Sequence, residues 1–353
     1  MSSFSELRFD LVSKNWVVIA TGRAKRPDEF AQSERKKTEQ PLKDCPFCNI
    51  SNSVAEGSAP ILVYLKENDL ISKKDRDIDI KKINEENNWL LVVIPNKYPA
   101  FQSGKSLNKR REGPYSLMNG TGFHEVVITR DHQQQIANLS VEEIKLVLDA
   151  YQERYLDLMD KKLVNYISIF HNHGAEAGAS VVHPHSQIIA IPLIDPDLQS
   201  SLNGSRKYMK KYGECVHCAM LNWEKKDRQR VIYENNDFII VAPFASHVSF
   251  ETRIYPKKHQ SYFEKISDGE KLQLADAFKQ ILFKIYKGLN DPAYNFFLHT
   301  APCDGGNYDH YHWHFEILPK TAIWAGFELG VGIEISVISP ENAAKYLREI
   351  NIL

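Results

Sequence analysis

The sequence predicts an α+β protein built as a tandem duplication, each half an antiparallel sheet with one long helix. Three observations predict it. Two C-x-x-C motifs recur, Cys45/Cys48 in "CPFC" and Cys215/Cys218 in "CVHC". Matching strand-like runs follow each motif. Each half then holds one long segment with apolar residues at helical spacing.

The elements align in order. "WLLVVIPNKYPAF" follows the first motif and "DFIIVAPFASHVSF" the second; both are rich in β-branched and aromatic residues. Next come "FHEVVITRDHQQQIANLS" and "FETRIYPKKHQSYFEKIS", read as strands running to His132 and His259. The helical patterns are "VEEIKLVLDAYQERYLDLM" and "GEKLQLADAFKQILFKIYKGL"; Ser140 with Glu143 forms a capping box before the first. Each half closes with a strand, a loop and a histidine-bearing strand, "YISIFHNHG…HPHSQIIAIP" and "YNFFLHTAP…HYHWHFEILP". The domains are therefore 1–200 and 201–353, with homologous edge strands able to join. "GKSLNKRREGPYSLMNGTG" reads as an exposed loop. Its "GKS" is no phosphate-binding P-loop, because Pro99 stands where the first glycine is required.

Composition excludes several classes. Of 353 residues 43% are hydrophobic, enough for a core, and the formal charge is −1, which gives no basic field for nucleic acid or an anionic membrane. The first residues, "MSSFSELRFD", carry no apolar signal core, and apolar runs such as "WLLVVIP" are strand-length. A soluble cytoplasmic protein is expected.

Five cysteines, four of them in C-x-x-C pairs, suggest metal rather than a disulfide framework. The first motif has loop-like sequence on both sides, which disfavours a thioredoxin-type site. The repeat assembles two closed sets of the kind that hold structural zinc: Cys45, Cys48, His132 and His183, and Cys215, Cys218, His259 and His312. Two zinc ions per chain are expected. The choice of His312 over His310 or His314 rests on aligning "HWHFEIL" with "HPHSQII". Ligands spread over more than 90 residues in each half do not suit compact nucleic-acid-binding fingers.

The stretch "HNHGAEAGASVVHPHSQIIAIP", His171 to Pro192, holds four of the 13 histidines. Residues 183, 185 and 187 share one face of a strand. A metal ligand, His183, is thus followed by a free imidazole, His185, and an amide, Gln187. Neutral imidazole can attack phosphorus and carry the group to a second acceptor. Gly174, Gly178 and Ser180 upstream suit an anion, and Gln187 suits a phosphoryl oxygen. Arg23, Lys25 and Arg26 in "GRAKRP" suit phosphate, but by themselves they read better as a solvated charged turn.

"GAEAGASVVHPHSQIIA", "GRAKRP" and the Cys/His pattern resemble the galactose-1-phosphate uridylyltransferases of the histidine-triad superfamily, over nearly the whole chain. The resemblance implies two fused histidine-triad-like domains and a homodimer with active sites between subunits. It implies ping-pong exchange of UMP between UDP-glucose and galactose 1-phosphate, in galactose metabolism. His185 matches the nucleophile. Asn172, Gly178, Ser180, Gln187, Arg23, Arg26 and Asn96 match nucleotide- or phosphate-contacting positions. "GFELG" matches the sugar-phosphate segment, with Phe327 and Glu328 at contact positions. Gln187 stands where hydrolytic relatives carry histidine, which favours transfer. The sequence departs at Ala322, where a bacterial branch carries lysine, with Lys320 nearby but out of register. The second C-x-x-C and "GFELGVG" resemble a subgroup that includes plant ADP-glucose phosphorylase, which moves AMP to phosphate. Two further readings therefore stand beside uridylyl transfer: an adenylyltransferase or phosphorylase on ADP-glucose, and a non-catalytic zinc-binding module.

Overall fold

The computed structural model describes residues 4–20, 22, 29–30, 40–55, 58–67, 70–75, 78–86 and 88–352. Strands β1 (Glu6–Phe9) and β2 (Trp16–Ile19) open the chain, followed by α1 (Ile50–Ser53), β3 (Leu62–Glu67), β4 (Leu70–Lys74), α2 (Ile80–Glu86) and β5 (Trp89–Pro95). Then come β6 (Arg110–Glu112), β7 (Tyr115–Leu117), β8 (Phe123–Thr129), the long helix α3 (Val141–Met159), β9 (Tyr166–His173) and β10 (His185–Ile191). Helices α4 (Pro196–Tyr212) and α5 (Val216–Asp227) lead to β11 (Val231–Glu234), β12 (Phe238–Val241), β13 (Thr252–Pro256) and the second long helix α6 (Asp268–Gly288). The chain ends with β14 (Tyr294–His299), β15 (His314–Pro319), α7 (Gly326–Val331), β16 (Ile335–Ser336) and α8 (Pro340–Glu349).

One antiparallel sheet of eleven strands runs in the order β11-β12-β13-β15-β14-β9-β10-β8-β5-β3-β4. The two halves meet where β14 pairs with β9, with Phe296 opposite His171 and Asn295 opposite Asn172. On either side of that seam the order repeats outward as β9-β10-β8-β5-β3 and β14-β15-β13-β12-β11. The expected joining of homologous edge strands is thus observed. A small sheet, β1-β2-β16, ties the N-terminal strands to the second half. The link between halves runs through α4, which spans residue 200.

Both long helices start on the same device. Ser140 accepts from the Glu143 N–H and Ser267 from the Glu270 N–H, and each glutamate reaches back to its cap. Such a cap contributes about 1 kcal/mol. The apolar stripes of α3 and α6 (Ile144, Val147, Tyr151, Tyr155; Leu274, Phe278, Ile281, Ile285) bury against one face of the sheet in a single core. A buried fork from Arg154 on α3 to Glu125 on β8 (2.8 and 2.9 Å) fixes helix against sheet.

Two local expectations change. The segment read as loop contains an exposed hairpin, β6–β7, turned at Gly113 with φ 57°. Strands β8 and β13 end at Thr129 and Pro256, so His132 and His259 lie three residues beyond them. In the second C-x-x-C, Cys215 is the N-cap of α5 and Cys218 lies in its first turn. Among the described residues no helix is long and apolar enough to cross a membrane.

Candidate functional site

Cys45, Cys48, His132 and His183 converge, with one donor atom from each inside a 4.8 Å cluster, and Cys215, Cys218, His259 and His312 do the same. The histidines are oriented alike. His183 Nε2 lies 2.7 Å from the Thr129 carbonyl and His132 Nε2 2.9 Å from the Gln40 carbonyl. His312 Nε2 lies 3.0 Å from the Pro256 carbonyl and His259 Nε2 2.9 Å from that of Asp309. A carbonyl accepts only, so each Nε2 carries the proton and each Nδ1 lone pair faces sulfur. The Nδ1–Sγ distances are 3.6, 3.6 and 3.2 Å in the first set, and 3.3 and 3.6 Å from Cys218 to His259 and His312 in the second. A tetrahedral zinc with Zn–S near 2.3 Å and Zn–N near 2.05 Å sets that separation at about 3.6 Å. The donor sets fit such an ion, and the carbonyls of Thr129, Gln40, Pro256 and Asp309 hold the tautomer it requires.

His185 opens β10, buried, with its Nδ1 2.8 Å from the His183 carbonyl. Burial pushes its pKa below the usual imidazole range, against the raising effect of that bond. The ring is neutral, protonated at Nδ1, with a lone pair on Nε2. Phe47, between the two cysteines, packs on it with ring centroids 4.9 Å apart. Ser186 faces the opposite side, as expected, and bonds Tyr151 Oη (2.5 Å) and His171 Nδ1 (3.1 Å) on the helix face.

Gln187 lies on the His185 face, opposite Val126 in β8. Its Oε1 is 2.9 Å from His124 Nε2, and Asn96 Nδ2 is 3.0 Å from the same nitrogen. Gln187 and Asn96 are thereby brought together. His124, which joins them, was not singled out from sequence. Its signal was there in the repeat, since a strand residue matched to Glu251 is polar in both halves.

The run before His183 turns through Gly174 (φ 80°) and Gly178 (φ 87°), conformations that favour glycine. Asn172 Oδ1 accepts from Asn295 Nδ2 (2.8 Å), and Asn295 also donates to the Ala177 carbonyl (2.8 Å), so the second half braces this loop. Ser180 lines a cavity of about 760 Å³ with Gly174, His171 and Pro184. His173 pairs with Asp291 at 2.7 Å. Phe327 and Glu328 lie on α7, where Phe327 is 49% exposed and Glu328 accepts from the Ala325 N–H (3.0 Å). Among the described residues neither hydrogen-bonds the row from His185 to Asn96. Arg23 and Arg26 lie outside the described residues.

The family model for the N-terminal domain of galactose-1-phosphate uridyl transferase matches residues 2–194, and a model for a domain of unknown function matches residues 100–350. The chain is 35% identical to an ADP-glucose phosphorylase of Arabidopsis thaliana, over 98% of this chain and 93% of that one. It is 28% identical to a galactose-1-phosphate uridylyltransferase of Thermotoga maritima, over 98% and 99%. A crystal structure of an Arabidopsis thaliana ADP-glucose phosphorylase with bound ADP-glucose superposes with TM-score 0.76 at 33% identity, covering 99% of this chain and 100% of that one. A uridylyltransferase structure superposes with TM-score 0.71 at 25% identity, covering 97% of each. With its duplicated sheet, paired Cys/His sets and matches along its whole length, the chain is an enzyme of the galactose-1-phosphate uridyl transferase family.

Proposed function

We propose that this protein passes UMP between UDP-glucose and galactose 1-phosphate through a uridylyl group carried on His185. The observation that carries the reading is the His185 Nδ1 contact to the His183 carbonyl, which leaves a neutral Nε2 lone pair on the row that ends in Gln187. That lone pair attacks the α-phosphorus. An N–P bond forms, and the P–O bond to glucose 1-phosphate breaks, releasing it as a phosphate monoester. The Nδ1 proton stays on the ring, where the His183 carbonyl steadies the cation formed. A phosphate oxygen of galactose 1-phosphate then attacks phosphorus, the N–P bond breaks, and neutral His185 returns. Gln187 donates to a non-bridging oxygen; the Gly174–Gly178 turn, Ser180, Asn172 and Asn96 hold the nucleotide and its phosphates. Arg23, Arg26, Phe327 and Glu328 complete the site across a homodimer.

Zinc suits both Cys₂His₂ sets, and two ions per chain are proposed. Bound there, zinc supplies a fixed, closed coordination that anchors the His183 end of β10. The enzyme would act in the cytoplasm.

A second reading, ADP-glucose as donor and inorganic phosphate as acceptor, is favoured by the 35% identity to the Arabidopsis thaliana ADP-glucose phosphorylase. The test is incubation with UDP-glucose or ADP-glucose alone, followed by intact mass. An adduct from UDP-glucose supports the first reading; one from ADP-glucose alone moves the assignment to the second; none from either sinks both. H185N should lose the adduct and keep two metals. Loss of metal would mean that ligand and nucleophile have been exchanged. C215S should lose one metal and keep the adduct.

A further inference from the structure

His124 holds an arrangement that the transfer chemistry does not by itself specify. It is second in β8, on the face of Val126 and hence of Gln187. Its two ring nitrogens have different partners. The Ala100 backbone N–H reaches Nδ1 at 3.2 Å, and a backbone N–H only donates, so Nδ1 bears a lone pair. Burial lowers the pKa of the ring against the raising effect of the Gln187 bond, and His124 is neutral. Its one proton is therefore on Nε2, 2.9 Å from Gln187 Oε1.

That contact selects one of two orientations of the Gln187 side chain. The amide is almost symmetric in shape, but its two ends have opposite polarity. With Oε1 engaged by His124, the NH₂ end is left for a ligand. The Asn96 amide is set the same way: its Oδ1 accepts from the Tyr98 N–H at 2.9 Å, and its Nδ2, 3.0 Å from His124 Nε2, finds no acceptor on that protonated nitrogen, so its hydrogens are left for a ligand. Two amides thus offer donors, which an anionic phosphoryl oxygen accepts. In the reversed orientation Gln187 would present oxygen to oxygen.

We propose that His124 is a positioning residue: its Nε2–H holds the Gln187 carbonyl so that the amide NH₂ meets the phosphoryl group in transfer. The proposal rests on the reading of His185 as nucleotide carrier. Ala100 in turn sets the tautomer of His124, so the chain of control runs from the turn after β5 through His124 to Gln187.

The test is single-turnover adduct formation by the full chain, with UDP-glucose and with ADP-glucose separately. Wild type, H124A, H124Q and H124E are compared in native and Q187A backgrounds, with melting curves and metal content as folding controls. H124A should slow the maximal rate by about 10–100-fold, the range for removing a supporting partner, with the half-saturating donor concentration little changed. H124Q, a neutral donor, should recover most of the rate. H124E, an acceptor that draws the Gln187 NH₂ toward itself, should be slower than H124A. In the Q187A background neither H124A nor H124E should cause a further loss. Equal losses in both backgrounds, or H124E as fast as H124Q, would overturn the proposal; that last pair decides the matter if H124A fails to fold. No adduct from wild type would instead defeat the nucleotidyl reading, and the role of His124 with it.

Discussion

The two halves place the same strands around two different interiors. His185 and His314 are equivalent: each bonds through Nδ1 to the carbonyl of the ligand histidine two residues before it, at 2.8 and 3.1 Å. Around His185 the neighbours on the face are Gln187, Val126 and His124. Around His314 the same positions carry Glu316, Arg253 and Glu251. Arg253 is buried, 3.0 Å from Glu316, 2.8 Å from Glu251 and 3.8 Å from Asp10. His299, which the sheet register matches to Asn172, lies 3.7 Å from Glu316, and Tyr255 stacks on His314 at 4.6 Å. The first half keeps neutral polar groups on this face, while the second fills it with its own cation and anions. A duplicated frame can therefore keep its Cys/His geometry while one copy turns its charges inward.

That contrast can be broken on the second-half side with the largest effect. R253V, which copies Val126, strands Glu251 and Glu316 without a cation and should destabilise the protein by about 3–5 kcal/mol, read by denaturant unfolding. Adding E316Q and E251H, which complete the first-half set, should recover part of that loss, because two of the three carboxylates facing Arg253 are removed with it and the third, Asp10, keeps the Val12 and Ser13 N–H groups as partners. On the first-half side, Q187E copies Glu316 and opposes a carboxylate to the phosphoryl oxygens. It should slow adduct formation by roughly 10²–10³-fold, the range for loss of a preorganised donor, in rapid-quench measurements.

Much of this contrast was legible in the sequence, and the missing part has a physical cause. Both ligand sets follow from the repeat, because a chelating pair and strand-end histidines recur at matched spacing. The structure brings His312, rather than His310 or His314, to the cysteines. Helix α4 carried readable signals, Asp195 before Pro196 and Gly213 after Tyr212, but among its apolar residues only Leu198 and Leu202 are buried, against the long stripe of α3. The Arg253 network and the His124 contact depend on which residues face each other across β13–β15 and β8–β10. Cross-strand register is a tertiary property, and one residue of slip would reverse every facing side chain.

The smallest expected effect concerns the rim of the second-half network. Burial disfavours charge on His247, but the Glu334 contact at 3.3 Å, with Glu251 and Glu316 nearby, more than offsets it and raises the pKa to about 9. A folded-state pKa above the ordinary 6.5 stabilises the fold fully below that pH, and the contribution is lost as pH rises toward 9. The stability gap between wild type and H247Q should be largest near pH 6, narrow through that window and close above it; a gap independent of pH would contradict the assignment.

The central claim is that one of two equivalent histidines carries the chemistry. Peptide mapping of the nucleotidylated protein, after incubation with each nucleotide sugar alone, tests it most directly. The nucleotidyl group should be found on His185 and be unaffected by H314N in folded protein. A nucleotidyl group on His314, or its loss in H314N with two metals retained, would contradict the account.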